Sequence, residues 1–197
     1  MKRNYLRSFA MLMLAALITV PVFYGCKSSK KSKASPKGEE KITVYCSGPE
    51  YFSDNQYFRA NDVAESTNQS MAKRKAMSNA RLALAGSIET TVKAVIDNYF
   101  NSYTSNQTIE DKERYEGLSR EVINQKLNGI RTICEEYTKT AEGNYKCYVA
   151  IELAGDEIAS GMAKRISEDD KLKIDFQYEN FKKTFEKEME EFKNQRY

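Results

Sequence analysis

The cysteines of this chain, by their number and spacing, limit the chemistry that the protein can perform. The cysteines stand at Cys26, Cys46, Cys134 and Cys147, and histidine is absent. Without histidine, nucleophile–histidine catalysis, histidine-ligated metals and histidine pH switches are excluded. The cysteine spacing matches neither a zinc site nor a Cys-x-x-Cys redox pair. We therefore expect no enzymatic activity, no metal and no cofactor.

The first cysteine directly follows a secretion signal. A basic start, an apolar run over 8–23 and Gly25 immediately before Cys26 make up this part of the sequence. The run is shorter than the roughly 20 residues that cross a bilayer, and Pro21 interrupts it. The pattern therefore predicts a signal peptide over 1–25 and a lipoprotein in which Cys26 is diacylated, for example with palmitate. Two or more acyl chains would anchor the protein stably to a membrane.

The residues after Cys26 form a polar, basic stretch. Residues 27–41 contain six lysines, two glutamates and almost no apolar side chain, which predicts a flexible lipidated tether over 26–41. Lys27 stands where an aspartate is associated with retention in the inner membrane. The acidic cluster typical of surface-exported lipoproteins is also missing. These features favour the outer membrane, facing the periplasm.

The charge of the remaining chain argues against nucleic-acid binding. The chain has 31 basic and 28 acidic residues, and three of the basic ones lie in 1–25, where there is no acid. Setting aside also the six lysines and two glutamates of 27–41 leaves 22 basic and 26 acidic residues from 42 onward, a net charge of −4. A nucleic-acid-binding domain normally carries a positive surface. We expect no nucleic-acid partner.

Residues 42–197 predict a single domain. A β-favouring stretch over 42–46 predicts a first strand, and the polar residues 50–69 predict a long loop. The strongest helix pattern follows from residue 70 onward, with small and apolar residues at steps of three and four. These are Ala72, Ala76, Ala80, Leu84, Ile88, Val92, Val95 and Tyr99. The alanines predict a close approach to a flat partner such as a sheet.

The second half of the chain predicts one hairpin and three helices. A helix is expected over 113–126, a β-hairpin over 130–139 and 144–153, and a helix over 155–166. A C-terminal amphipathic helix is expected over about 171–195. Its apolar stripe consists of Phe176, Tyr178, Phe181, Phe185, Met189 and Phe192. The stripe favours packing of this helix within the domain. The alternative is that the helix is an arm that binds a partner protein of the cell envelope.

Together these elements predict an α+β fold. We expect a small, mostly antiparallel sheet packed by a long alanine-rich helix, with a C-terminal amphipathic helix.

The spacing of the long helix carries a family resemblance. The alanine-rich helix over 72–92, the preceding residues 60–66 and the hairpin strand over 145–151 resemble the LPP-twenty lipoprotein family. Its domain is related to one in the flagellar-ring protein FlgT, and the lipid-attachment sequence resembles those of Bacteroidetes-type bacteria. The resemblance spans roughly 42–155. It implies an envelope lipoprotein with an α+β domain and no assigned chemistry, so no functional residues carry over.

The remaining cysteines predict a disulfide. Exported thiols meet an oxidising environment, which favours pairing. If residue pairs in the hairpin sum to 285, Cys134 faces Ile151 and Cys147 faces Thr138. The two cysteines are then about 13 Å apart along the strands, too far for a bridge. Cys46, on the predicted first strand, could then lie beside either of them. We predict a Cys46–Cys134 disulfide with Cys147 as a buried free thiol, whereas pairs summing to 281 would instead join Cys134 to Cys147.

Two functions fit these features. The first is an outer-membrane-anchored structural or interaction module of the cell envelope, with the C-terminal helix as a candidate partner surface. The alternative is a periplasmic lipoprotein that binds a small molecule or glycan between sheet and helix. An exposed apolar stripe on the last helix would favour the first function. A pocket of a few hundred cubic ångströms lined by aromatic residues would favour the second.

Overall fold

The computed structural model describes residues 38–40, 42–103 and 108–194. The chain divides into a leading unit, Met1–Ile42, and a compact unit, Thr43–Tyr197, and the fold below is that of the second unit. The predicted signal peptide, the lipidation site Cys26 and most of the predicted tether lie outside the described residues.

The domain is an α+β fold, as the sequence predicts. Its elements in chain order are β1 (Tyr57–Ser66), α1 (Gln69–Tyr103), α2 (Ile109–Lys126), β2 (Arg131–Lys139), β3 (Tyr145–Ala154), α3 (Gly155–Glu168) and α4 (Tyr178–Asn194). The strands form one antiparallel sheet in the order β1-β3-β2, so β3 is central and the other two strands are edges.

The long helix α1 packs on one face of the sheet, here called the inner face. Its first turn is capped by Asn68, whose side-chain oxygen accepts a hydrogen bond from the backbone N–H of Met71 at 3.1 Å. Ala72, Ala76 and Ala80 are fully buried where the helix meets β1 and β3. Small side chains let the helix approach the sheet closely, as predicted from their spacing.

The second half of α1 extends past the sheet and packs against α2 and α4. A 35-residue helix is about 52 Å long, whereas a ten-residue strand spans about 33 Å. The half of α1 that lies beyond the sheet carries larger buried side chains. Among them, Tyr99 is the centre of an aromatic cluster. Its ring lies near those of Tyr103, Tyr115, Phe176 and Phe181. The buried Tyr99 hydroxyl accepts a hydrogen bond from the backbone N–H of Gln177 at 2.9 Å.

The C-terminal helix begins later than predicted and packs inside the domain. A short 3-10 turn, Leu172–Ile174, precedes α4, which starts at Tyr178. Phe181, Phe185 and Met189 of its apolar stripe are buried in the core. Packing within the domain is therefore the arrangement observed, and the stripe is not an exposed partner surface.

The first strand lies in a different part of the sequence from the one predicted. Residues 42–46 form no strand, and the strand β1 falls within the region 50–69 that was expected to be a loop. Its pattern is weak because Ala60 and Ala64, which face α1, are small, and because Asn61, Asp62 and Glu65 are residue types that are depleted in strands. Tertiary packing against α1 therefore outweighs the local preference of these residues.

The predicted hairpin is present, but its register is shifted by one residue. Pairs sum to 284 near the turn, so Cys147 faces Tyr137 and Cys134 faces Ala150. A bulge between Thr132 and Cys134 then changes the register further along β2. The turn itself is longer than a two-residue loop, and Gly143 adopts a φ of 89° within it.

Candidate functional site

A disulfide fixes the N-terminal end of the domain to the edge strand β2. The sulfur atoms of Cys46 and Cys134 are 2.05 Å apart, their Cα atoms are 5.6 Å apart, and 88 positions separate them in sequence. Cys46 has a φ of 55°, a left-handed conformation that is uncommon for a residue other than glycine. In the same turn the Ser47 hydroxyl donates a hydrogen bond to the Val44 carbonyl at 2.8 Å. This is the pairing expected from the sequence, although Cys46 lies in a turn and not in the predicted strand.

Residues 44–54, here called the N-terminal segment, lie over the outer face of the sheet, opposite α1. The ring of Tyr45 meets that of Tyr148 edge-on, with centroids 5.4 Å apart. Beneath the segment, Ala150 on the central strand is fully buried although it faces away from α1. The segment therefore acts as a partial second layer over a sheet that has only one helical layer.

The end of the N-terminal segment also pairs with the free edge of β1. The Ser53 hydroxyl accepts a hydrogen bond from the backbone N–H of Arg59 at 2.8 Å and donates one to its carbonyl at 3.0 Å. The backbone N–H of Asp54 donates to the Tyr57 carbonyl at 3.0 Å. These bonds satisfy the outward-facing backbone groups at the beginning of the strand.

Four charged side chains form a cluster under the N-terminal segment. The guanidinium of Arg59 contacts Asp54 at 2.7 Å and Glu152 at 2.9 Å. Arg131 also donates to the Glu152 carboxylate, through its Nε at 2.9 Å. The side chain of Glu152 is only 4% exposed, whereas that of Arg131 is 70% exposed. Arg59 and Glu152 face each other across β1 and β3, so the sheet register brings them together.

The arginines keep the buried carboxylate ionised. Burial alone would raise the pKa of Glu152, but hydrogen bonds from Arg131 and Arg59 outweigh it, and the pKa lies below its ordinary value. The pKa of Asp54 is lowered in the same way, by backbone hydrogen bonds and by Arg59 against the effect of burial. The cluster is thus a fully ionised, mutually compensated network that holds the segment to the sheet.

An exposed apolar patch lies beside the disulfide on the outer face. We call Val44, Tyr45, Val63 and Tyr148 the outer-face patch. The first three are 42%, 57% and 43% exposed, and Tyr148 is half-buried. Together with Asn61 and Asp62 they line a shallow hollow of about 220 Å³.

The free edge of β1 continues alongside this patch. In an antiparallel strand, alternate residues direct both backbone groups to the same side. The backbone N–H and C=O of Arg59 point away from β3, toward Ser53. The backbone groups of Asn61, Val63 and Glu65 therefore point outward as well. Within the described ranges, no hydrogen bond to these three backbone positions is found. A short length of strand edge is therefore open next to the outer-face patch.

The remaining described cysteine lies on the other side of the sheet. Cys147 is a fully buried free thiol, as predicted, and burial raises its pKa. Opposite it, the Tyr137 hydroxyl donates to Glu135 at 2.6 Å, and Lys73 pairs with the same carboxylate oxygen at 2.9 Å. The sheet separates this thiol from the disulfide, so thiol–disulfide exchange between them is not supported.

A separate cleft opens at the end of the sheet where β1 begins and β3 ends. It has a volume of about 340 Å³ and lies between the start of β1, the start of α3 and one side of α4. Eleven residues line it: Asn55, Gln56, Tyr57, Ala154, Gly155, Asp156, Ala159, Lys182, Phe185, Glu186 and Met189. The lining is mixed, with two aromatic residues, and is therefore less aromatic than the glycan site considered from sequence.

The described part of the chain, residues 38–40, 42–103 and 108–194, lacks two further kinds of feature. Among those residues, no group of three or more cysteine, aspartate or glutamate side chains is placed to hold a metal ion. No helix among them is long and apolar enough to cross a bilayer.

The disulfide was predicted from the sequence, whereas the charged cluster was not. Cys46 and Cys134 are brought together, whereas the lipidation site Cys26 lies outside the described residues. One signal could have indicated the cluster: Glu152 stands between Ile151 and Leu153 in a buried strand, where a lone carboxylate requires a charged partner.

Comparison with protein-family models gives no match for this chain, and comparison with curated proteins gives no significant similarity.

Proposed function

We propose that this chain is an outer-membrane lipoprotein, anchored by lipid on Cys26 and facing the periplasm, whose domain is an interaction module of the cell envelope. The signal over 1–25 and the resemblance to the LPP-twenty family support the anchor. The Cys46–Cys134 disulfide fits an exported protein, because disulfides persist in oxidising compartments. The observation that carries the interaction role is the outer-face patch beside the open edge of β1.

The patch has the composition of a protein-binding surface. Tyrosine is enriched at protein interfaces, since one side chain offers both an apolar ring and a polar hydroxyl. Tyr45 and Tyr148 are already held in place by their contact with each other, and Cys46 fixes the backbone next to Tyr45. A partner would therefore meet a preorganised surface, which reduces the entropy lost on binding.

The adjoining strand edge defines the kind of partner. An extended polypeptide can add to an open edge through its backbone and place alternate side chains in neighbouring hollows. The outward backbone groups of Asn61, Val63 and Glu65 offer such an edge, and the hollow at Val44 and Tyr148 lies next to it. The proposed partner is thus an extended segment of another envelope protein.

A photo-crosslinking amino acid at Val63 tests this surface in the mature lipoprotein in its own envelope. Leu82 on α1 is the matched control position, because it is also apolar and is 76% exposed. We expect a discrete crosslinked protein from position 63 and none from position 82. Equal crosslinking from both positions would show that the patch has no special role.

The strand edge is tested by a second change in the crosslinking chain. Asn61→Pro removes an outward-facing N–H without removing a hydrogen bond to β3, as proline permits only at an edge. We expect the crosslink from Val63 to be lost with Asn61→Pro and kept with Asn61→Ala. Loss in both variants would indicate side-chain recognition rather than strand addition and would contradict this part of the proposal.

The proposed lipid anchor at Cys26 is tested separately from the interaction surface. Cys26→Ser removes the thiol that accepts the lipid, so we expect the protein to leave the outer-membrane fraction and its mass to lack acyl chains. Ser28→Ala, two residues away, should retain both properties. Mass spectrometry of the membrane fraction decides the question, and a Cys26→Ser protein that remains in the outer membrane would refute the anchor.

The alternative function, a ligand-binding lipoprotein, is supported by a different feature. The cleft between the end of the sheet and α4 has the volume of a small-molecule site.

A further inference from the structure

We propose that the cleft at the end of the sheet binds a small zwitterion with an apolar body, of the size of a dipeptide. The cleft is distinct from the outer-face patch and the anchor, so this site stands or fails independently of the proposed interaction role.

The floor of the cleft is apolar and closely packed. Ala159, Phe185 and Met189 are almost fully buried there. Gly155 allows the close packing between them, because a Cβ atom at this position would lie 3.1 Å from Met189 Cε and 3.4 Å from Phe185 Cε1. Its backbone N–H donates to the Gln56 carbonyl at 2.8 Å, which joins the two sides of the cleft. A floor of this kind accepts an aliphatic side chain.

The rim carries charges of both signs that have no partner among the described residues. Lys182, Asp156 and Glu186 line the cleft, and among the described residues none of the three makes an ion pair or a side-chain hydrogen bond. Further along the same helix, Lys187 and Glu191 have the same four-residue spacing and pair at 3.4 Å. Lys182 and Glu186 therefore remain unpaired although their spacing would allow a pair.

This arrangement selects the class of ligand. The ammonium group of Lys182 is available to donate to a ligand carboxylate, and the carboxylates of Asp156 and Glu186 are available to accept from a ligand amine. Both groups lie around one apolar floor, so the best-matched ligand carries an amine and a carboxylate on an apolar body. The volume of about 340 Å³ is at the small end for ligand pockets, which fits a dipeptide rather than a larger molecule.

Three probes with one apolar body test the proposal by calorimetry on the mature chain. Leucyl-leucine carries both charges, its N-acetyl form lacks the amine, and its C-terminal amide lacks the carboxylate. We expect leucyl-leucine to bind best and each capped probe to bind at least tenfold more weakly. No measurable binding of leucyl-leucine, or equal binding of all three probes, would overturn the proposal.

Two variants test which side chain binds the carboxylate of the ligand and which binds its amine. Neither side chain belongs to the hydrophobic core. Lys182→Met should abolish the preference for leucyl-leucine over its amide, and Glu186→Gln should reduce the preference over the N-acetyl form. The matched controls are Lys187→Met and Glu191→Gln, which lie outside the cleft on the same helix and should leave all three affinities unchanged. Equal effects of cleft and control variants would mean that only the general charge of α4 matters and would refute the site.

Discussion

Replacing Cys46 and Cys134 together by serine is expected to lower the free energy of unfolding by about 4 kcal/mol and the melting temperature by about 10 °C. The bridge closes a loop of 88 positions, and in the chain-entropy model such a loop restricts the unfolded chain strongly. The change also frees the Cys46 end of the N-terminal segment from β2, while Ser53 and Asp54 still hold its other end to Arg59. Thermal and urea unfolding followed by circular dichroism measure both quantities.

Reduction is the internal control for this prediction. Wild-type protein in a reducing agent should approach the stability of the double-serine variant, while the variant itself should not respond to the agent. A thiol reagent should label Cys147 only after unfolding, because this thiol is buried within the core. A double variant as stable as the oxidised wild type would show that the bridge contributes nothing.

Replacing Glu152 by glutamine is expected to cost about 3 kcal/mol, the lower end of the range for breaking a buried ion pair. The change leaves Arg59 with one acidic partner, Asp54, instead of two. Arg131→Gln is the matched control and should cost about 1 kcal/mol or less, because that side chain is 70% exposed. A larger loss from Arg131→Gln than from Glu152→Gln would contradict the central place of the carboxylate.

The same variant has a signature in the pH dependence of stability. Because the pKa of Glu152 is lowered by folding, its contribution is present above the ordinary value of 4.5 and is lost as the pH falls through the lower folded value. The stability of Glu152→Gln should therefore decline less steeply than that of the wild type below about pH 4.5. The remaining decline comes from other carboxylates with lowered pKa, such as Asp54 and Asp169.

The long helix and the hairpin could be predicted from the sequence because their patterns are local. Apolar steps over α1 and alternation in β3 are visible without knowing any partner. The strand β1 was not predicted because its inward-facing residues Ala60 and Ala64 are only weakly hydrophobic. Their packing role depends on the alanines of α1. The charged cluster was missed because Arg59 and Glu152 are 93 positions apart and meet only through the register of β1 against β3.

The Cys46–Cys134 disulfide was predicted from the sequence, but two structural assumptions behind that prediction were wrong. The compartment predicted a disulfide and the hairpin distance excluded Cys134–Cys147, but neither decided which of the two cysteines pairs with Cys46. Both the strand assumed at 42–46 and the register summing to 285 were wrong. The pairing holds for a different reason: the assumed register placed Cys134 and Cys147 on the same face but about 13 Å apart, whereas the observed register places them on opposite faces of the sheet.

The disulfide also determines how the domain would bear mechanical tension. If the chain is anchored at Cys26 while a pull acts on the part of the domain that follows Cys134, the load enters at Cys46 and passes through the S–S bond directly into β2. Residues 47–133, which include β1 and the whole of α1, form a covalent loop that this tension cannot stretch. The antiparallel ladder between β2 and β3 then carries the force into the remainder of the domain. Residues 47–133 would thus be shielded from a pull between the anchor and the part of the chain after Cys134.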